Sequence, residues 1–148
     1  MFNVVLVEPE IPPNTGNIGR LCVATRSTLH LIKPLGFSLD DRELRRAGLD
    51  YWEEVRLQLW DSFGELQRAH EASARYFFLT TKSKRPYYDV KFQNDDFLVF
   101  GRETKGLPED LLAANLDNCI TIPMHGVRSL NLATAVAIVL FEAMRQQR

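Results

Sequence analysis

Cysteine is scarce in this 148-residue chain: Cys22 and Cys119 are the only two, and they form no CxxC pair. Neither a disulfide framework nor a cysteine-based zinc site is therefore indicated. Long hydrophobic runs are missing too, since none approaches the ~20 residues that span a bilayer. The opening Met1-Phe2-Asn3-Val4-Val5 lacks the basic start and small-residue cleavage site of a secretory signal. The expectation is a cytoplasmic chain with reduced cysteines and no membrane partner. Positive charge is not in surplus either. The formal net charge of −1 argues against a protein that grips nucleic acid with its whole surface. His30, His70 and His125 stand apart, with no HExxH and no His/Asp cluster, so no metal is expected. His30, in an apolar run, reads as a core residue. Glu8 and Glu10 are paired acids around Pro9, but they have no partner base. A GxSxG elbow is absent, and a catalytic triad assembled in space is a matter for geometry alone.

What is present is an alternation. Apolar, β-rich runs lie at Phe2 to Val7, Leu29 to Lys33, Val55 to Leu59, Tyr76 to Thr80, Phe97 to Phe100 and Cys119 to Ile122. Most are continuous rather than alternating, as strands covered on both faces require. Helical patterns fall between them, at about Gly16–Ser27, Asp41–Ala47, Ser62–Ala72 and Glu109–Asn115, with a last helix from about Leu130 to Gln146. The prediction is a single α/β domain over residues 1–148, a parallel sheet flanked by helices. In the last helix, Ala133, Val136, Ala137, Leu140, Phe141 and Met144 make a sheet-facing stripe, and Ala135, Ile138 and Val139 extend the apolar surface round it. Deep burial explains that surface, and so does a second copy of the chain.

Charge is locally clustered at Arg42, Arg45 and Arg46, at Lys82, Lys84 and Arg85, and at Arg20 and Arg26. Solvated helix faces and an RNA-contacting patch are both open readings. Three loops follow strands. The first, Pro12-Pro13-Asn14-Thr15-Gly16-Asn17-Ile18-Gly19-Arg20, opens a helix that Asn14 or Thr15 can cap. Arg20 then falls in or near the first turn, where the helix dipole disfavours a cation unless an anion such as phosphate is near. The second, Phe100-Gly101-Arg102-Glu103-Thr104-Lys105-Gly106-Leu107-Pro108, has P-loop glycine spacing but lacks the following Lys and Ser/Thr, which disfavours a nucleotide triphosphatase. The GxGxxG dinucleotide fingerprint is also absent. The third, Ile122-Pro123-Met124-His125-Gly126-Val127-Arg128-Ser129-Leu130-Asn131, leads into the last helix; Ser129 is either a helix N-cap or part of a polar cluster with Asn131. In open parallel sheets ligands collect beyond the strand carboxyl ends. One site near Asn14–Arg20, Gly101–Glu103 and Ile122–Asn131 follows, with its ligand unnamed.

These three segments, with Glu8-Pro9-Glu10-Ile11 and Leu44-Arg45-Arg46-Ala47-Gly48-Leu49-Asp50-Tyr51, resemble the signature motifs of the SPOUT methyltransferases. Within that class the chain looks like the small TrmL (YibK-like) family, whose activity is 2′-O-methylation of cytidine or uridine 34 of tRNA. The resemblance runs over essentially the whole chain. It implies a C-terminal trefoil knot, which pattern reasoning alone would not propose. It also implies a homodimer, the tRNA anticodon stem-loop as substrate, and S-adenosyl-L-methionine as cofactor with S-adenosyl-L-homocysteine as product. By motif position it assigns Leu79, Gly101, Ile122, Met124, Ser129 and Leu130 to the cofactor, and Arg20, Asn14, Glu103 and Asn131 to the reacting 2′-hydroxyl. The chain departs from the pattern at Phe141, which replaces a frequent tyrosine, and at Ala133-Thr134, which replace a frequent Ser-Asn pair. Methylation of another tRNA or rRNA position, and a non-catalytic RNA-binding module on the same fold, are the competing readings.

Overall fold

A computed structural model describes residues 1–148. Six strands form one sheet: β1 (Asn3–Val7), β2 (Thr28–Ile32), β3 (Arg56–Trp60), β4 (Tyr76–Leu79), β5 (Phe97–Phe100) and β6 (Cys119–Ile120). Their order is β3-β2-β1-β5-β4-β6, and every pairing is parallel. Five α-helices cover it: α1 (Pro12–Thr25), α2 (Arg42–Gly48), α3 (Phe63–Arg68), α4 (Glu109–Ala113) and α5 (Leu132–Gln146). The parallel α/β sheet expected from the strand–helix alternation is thus what the chain builds. Both sheet faces are buried, which is why the strands read as unbroken apolar runs. Along β1, Val4 and Leu6 join a core with Ile18, Leu44, Val136 and Leu140, while Val5 and Val7 join a second core with Leu66, Phe78 and Leu112.

Several helix ends differ from the sequence reading. Helix α1 begins at Pro12, because prolines suit a first turn whose N–H groups have no partner inside the helix. Asn14 and Thr15 therefore lie inside the helix and cap nothing; the N-cap is Ile11, which offers no side-chain bond. Arg20 lies past the second turn, so the dipole argument does not apply to it. Ser129 is not the cap of α5 either: Asn131 is, its side chain accepting from the Thr134 amide at 3.2 Å. Helix α5 buries Leu132, Ala135, Val136, Val139, Leu140 and Ala143. Of the predicted stripe only Val136 and Leu140 are among them, and Phe141 is 48% exposed. An almost uniformly apolar helix gives periodicity little to choose between.

Two contacts set the position of the site. Helix α1 sits directly on α2, since a Cβ at Gly16 would stand 2.2 Å from the Leu44 carbonyl oxygen and one at Gly19 would stand 2.7 Å from the Trp52 ring. Strand β6, at the sheet edge, is enclosed on its outer side. The Thr121 amide donates to the Arg85 carbonyl at 2.8 Å, and the Tyr87 amide donates to the Thr121 carbonyl at 2.8 Å. The chain leaving β4 thus passes outside the segment that follows it by some thirty residues, an enclosure that a C-terminal knot requires.

His30 is buried in β2 with both ring nitrogens used. The Trp60 indole N–H donates to His30 Nδ1 at 3.0 Å, so Nε2 carries the proton and donates to Asn3 Oδ1 at 2.9 Å. Burial, then the neighbouring His70, push its pKa down to about 4. Between about 4 and 6.5 the unfolded chain therefore binds the proton that the folded chain refuses. Stability should fall by about 3 kcal/mol as pH drops through that window and level off below it. Denaturant unfolding across this range measures the slope, and His30→Asn should flatten it. Gly16→Ala drives a side chain into the α2 backbone and should cost about 2 kcal/mol or more, read as a lowered denaturation midpoint.

Candidate active site

The loop after β5 is shaped by a backbone contact. A Cβ on Gly101 would stand 2.1 Å from the Gly106 carbonyl carbon and 2.2 Å from the Leu107 nitrogen, so only glycine fits. Arg102 and Gly106 close the turn with two backbone bonds, at 3.2 and 2.9 Å, and Gly106 adopts φ +69°. The turn leaves space beside it rather than filling it.

That space is a cleft of about 330 Å³ at the carboxyl ends of β4, β5 and β6. Leu79 enters it from β4, Gly101 and Glu103 from the loop after β5, and Ile122, Met124, Ser129 and Leu130 from the segment after β6. All six residues expected at the cofactor are therefore brought to one cleft. Leu132 and Ala135, at the start of α5, also line it and were not singled out; lying inside a helical run, they carried no motif signal. Apolar walls meet a backbone-rich floor, and Lys82, Lys105 and Arg128 stand among the lining residues. Such a site suits an amphipathic ligand with a flat apolar part.

Glu103 joins the three loops. Its Oε1 accepts from the Glu10 amide at 2.9 Å, and its Oε2 accepts from the Ile11 amide at 2.8 Å and from Asn14 Nδ2 at 3.3 Å. Asn14 Oδ1 in turn accepts from Asn131 Nδ2 at 3.0 Å. Three of the four residues expected at the reacting hydroxyl thus form one chain of hydrogen bonds beside the cleft. Around it Arg102 pairs with Glu8, which raises the guanidinium's pKa further, and Glu10 accepts from Thr104 through Oγ1 at 2.8 Å and the amide at 3.1 Å. Those Thr104 bonds hold the Glu10 carboxyl below its usual range. Glu8 and Glu10 are therefore loop-binding groups, not an acid–base pair.

Arg20 does not reach this cleft within one chain. It lies on a shallow groove between α1 and α5, with Asn17, Leu21, Ala24, Ala133, Thr134 and Ala137. Its guanidinium lies over the Tyr51 ring, 5.7 Å from the centroid. Three other cations of the clusters are engaged in ion pairs: Arg45 with Glu53, Arg46 with Glu43 at 3.8 Å, and Lys82 with Glu109 at 3.1 Å. Both cysteines are buried and neither is in a disulfide, and burial pushes the Cys22 thiol up to about 12. No group of three His, Cys, Asp or Glu side chains gathers as a metal site, and no helix is long and apolar enough to cross a membrane.

Comparison with known proteins agrees with this architecture. Residues 1–141 match the SpoU rRNA Methylase family. The chain is 50% identical to the tRNA (cytidine(34)-2′-O)-methyltransferase of Saccharophagus degradans, over 99% of this chain and 96% of that one. It superimposes with a TM-score of 0.95, at 47% identity, on a solved structure concerned with the 2-OH methylation of C/U34 on tRNA, covering 99% of this chain and 96% of that one. The AdoMet complex of the SpoU methyltransferase AviRb from Streptomyces viridochromogenes is 26% identical with a TM-score of 0.84, covering 98% of this chain and 60% of that one. With its parallel sheet, its glycine-floored cleft and a family match over nearly its whole length, this chain belongs to the SpoU methylases of the SPOUT class.

Proposed function

We propose that this chain, as a single catalytic domain, methylates the ribose 2′-hydroxyl of the tRNA wobble nucleotide 34, cytidine or uridine, with S-adenosyl-L-methionine as donor. The observation that carries the reading is the convergence of Leu79, Gly101, Ile122, Met124, Ser129 and Leu130 on one cleft. It stands beside half-identical relatives named for this activity. The cofactor fits the residues present. An adenine ring needs apolar walls, which Leu79, Ile122 and Leu130 supply, and backbone polar groups at its edge, which the tight turn from Gly101 to Leu107 brings to the cleft.

When bound, S-adenosylmethionine supplies an already activated methyl group on sulfur. The chain has then to bind, align and manage one proton, without a metal. Glu103, Asn14 and Asn131 fix the loop after β5 against both ends of the site, and so hold the angle between cleft and substrate. Arg20 is the group assigned to the hydroxyl. A guanidinium donates hydrogen bonds and takes no proton at neutral pH, so Arg20, with an RNA phosphate, orients the oxygen and supports loss of its proton. Since Arg20 sits on the α1–α5 groove, this role calls for a second copy of the chain. A homodimer on that groove would cover the half-buried Ala133, Ala137 and Ile138 and the exposed Phe141, and would carry Arg20 toward the partner's cleft. The substrate segment is the tRNA anticodon stem-loop, and the compartment is the cytoplasm, where tRNA is found.

Mapping of methylated nucleotides tests the position. Purified protein with tRNA and labelled donor should label nucleotide 34 only, and a 2′-deoxy substitution at that nucleotide should abolish labelling. Label on ribosomal RNA or at another tRNA position would instead favour the broader family chemistry. Gly101→Ala drives a Cβ into the Gly106–Leu107 backbone and displaces the turn that lines the cleft, so calorimetry should show micromolar S-adenosylhomocysteine binding lost or weakened by about 100-fold or more. A wild-type chain that binds none at millimolar concentration would be a non-catalytic RNA-binding module.

A further inference from the structure

We infer that Tyr51 is a positioning residue for Arg20, its ring face fixing the plane of the guanidinium that meets the RNA ribose. The inference rests on the reading that Arg20 acts at the hydroxyl. The guanidinium has no hydrogen bond and no carboxylate within reach, and its one directed contact is the Tyr51 ring at 5.7 Å. Other arginines of this chain are held differently: Arg102 by Glu8, Arg75 by Asp96 at 3.2 Å, and Arg145 by Glu142 at 2.8 Å. A carboxylate partner would occupy the donor edge of Arg20 and neutralise the charge that an RNA phosphate is to meet. An aromatic face does neither. It attracts the cation from one side and leaves the N–H donors at the edge free.

The neighbouring backbone is arranged to present this ring. Gly16 and Gly19 let α1 descend onto α2 and onto the buried Trp52, which brings the 3₁₀ turn Leu49–Glu54 against the helix that bears Arg20. Leu49, a branched residue, takes φ +51° at the end of α2, a conformation that L side chains rarely adopt. That bend turns Asp50, Tyr51 and Trp52 back over α1. Trp52 is 7% exposed and anchors the turn, while Tyr51 is 44% exposed and has its ring under the guanidinium. Strain in the backbone next to an exposed aromatic is hard to explain by packing alone, whereas a fixed platform for Arg20 accounts for it.

The test is a set of single-turnover methylation rates at saturating tRNA, with S-adenosylhomocysteine affinity and thermal midpoint measured on each variant. Tyr51→Ala and Tyr51→Leu should slow methyl transfer by about 3- to 30-fold, the range of a cation–π contact from exposed to desolvated. Their cofactor affinity should stay at the wild-type value. Tyr51→Phe keeps the ring face and should keep most of the rate. In an Arg20→Ala background, Tyr51→Leu should cause no further loss. The proposal is overturned if Tyr51→Leu is silent, if Phe is as slow as Leu, or if the Tyr51 and Arg20 losses multiply. Should Tyr51→Ala fail to fold, the Phe and Leu pair decides alone. A full-speed Arg20→Ala removes the Arg20 assignment and this inference together, whereas a slow Arg20→Ala beside a silent Tyr51→Leu removes this inference only.

Discussion

The arrangement of this molecule depends on one carboxylate. Glu103 takes the free amides of Glu10 and Ile11 at the mouth of α1, a helix that has no capping side chain and no acid in its own first turn. The anion that such a helix start calls for comes from a residue more than ninety positions away in the chain. Since Asn14 and Asn131 extend the same set of bonds into α5, the loops near the beginning, middle and end of the chain share one fixed point. The cleft beside them is the space left over once that point is set.

Glycine does the complementary work. Gly101 brings two strands of a turn to backbone contact, Gly16 does the same for α1 and α2, and Gly19 makes room for the Trp52 ring. In the first case the result is a recess; in the second it is a platform on which Arg20 and Tyr51 meet. Cleft and platform lie apart in one chain, and the proposed homodimer on the exposed side of α5 would bring the two together.

Much of the fold was legible because fully covered strands leave a plain mark. Phe97–Phe100 was bounded correctly, and the other strands were found to within a residue or two, because apolar runs of that length between turn residues have few alternatives. The start of α1 was not legible, since Pro12-Pro13 reads as a loop to any rule that looks for a capping side chain, and the cap came from Glu103 instead. The inward face of α5 was misread for a related reason: where nearly every position is apolar, only the tertiary contacts choose. Of the site, the residues expected at the cofactor were brought to one cleft, because each motif begins where a strand ends. The Asn14–Asn131 pair and the seating of Arg20 over Tyr51 join residues far apart in sequence, and no spacing rule reaches them.

The enclosure of Thr121 between β4 and the Arg85–Tyr87 segment has a consequence for synthesis. Ile122, Met124, Ser129 and Leu130 reach the cleft only once that stretch is in place, so an emerging polypeptide stopped at Asn118 already has five of its six strands and yet only part of the cleft's lining. The cleft is thus completed last, and a copy stopped short of that stretch lacks its full lining.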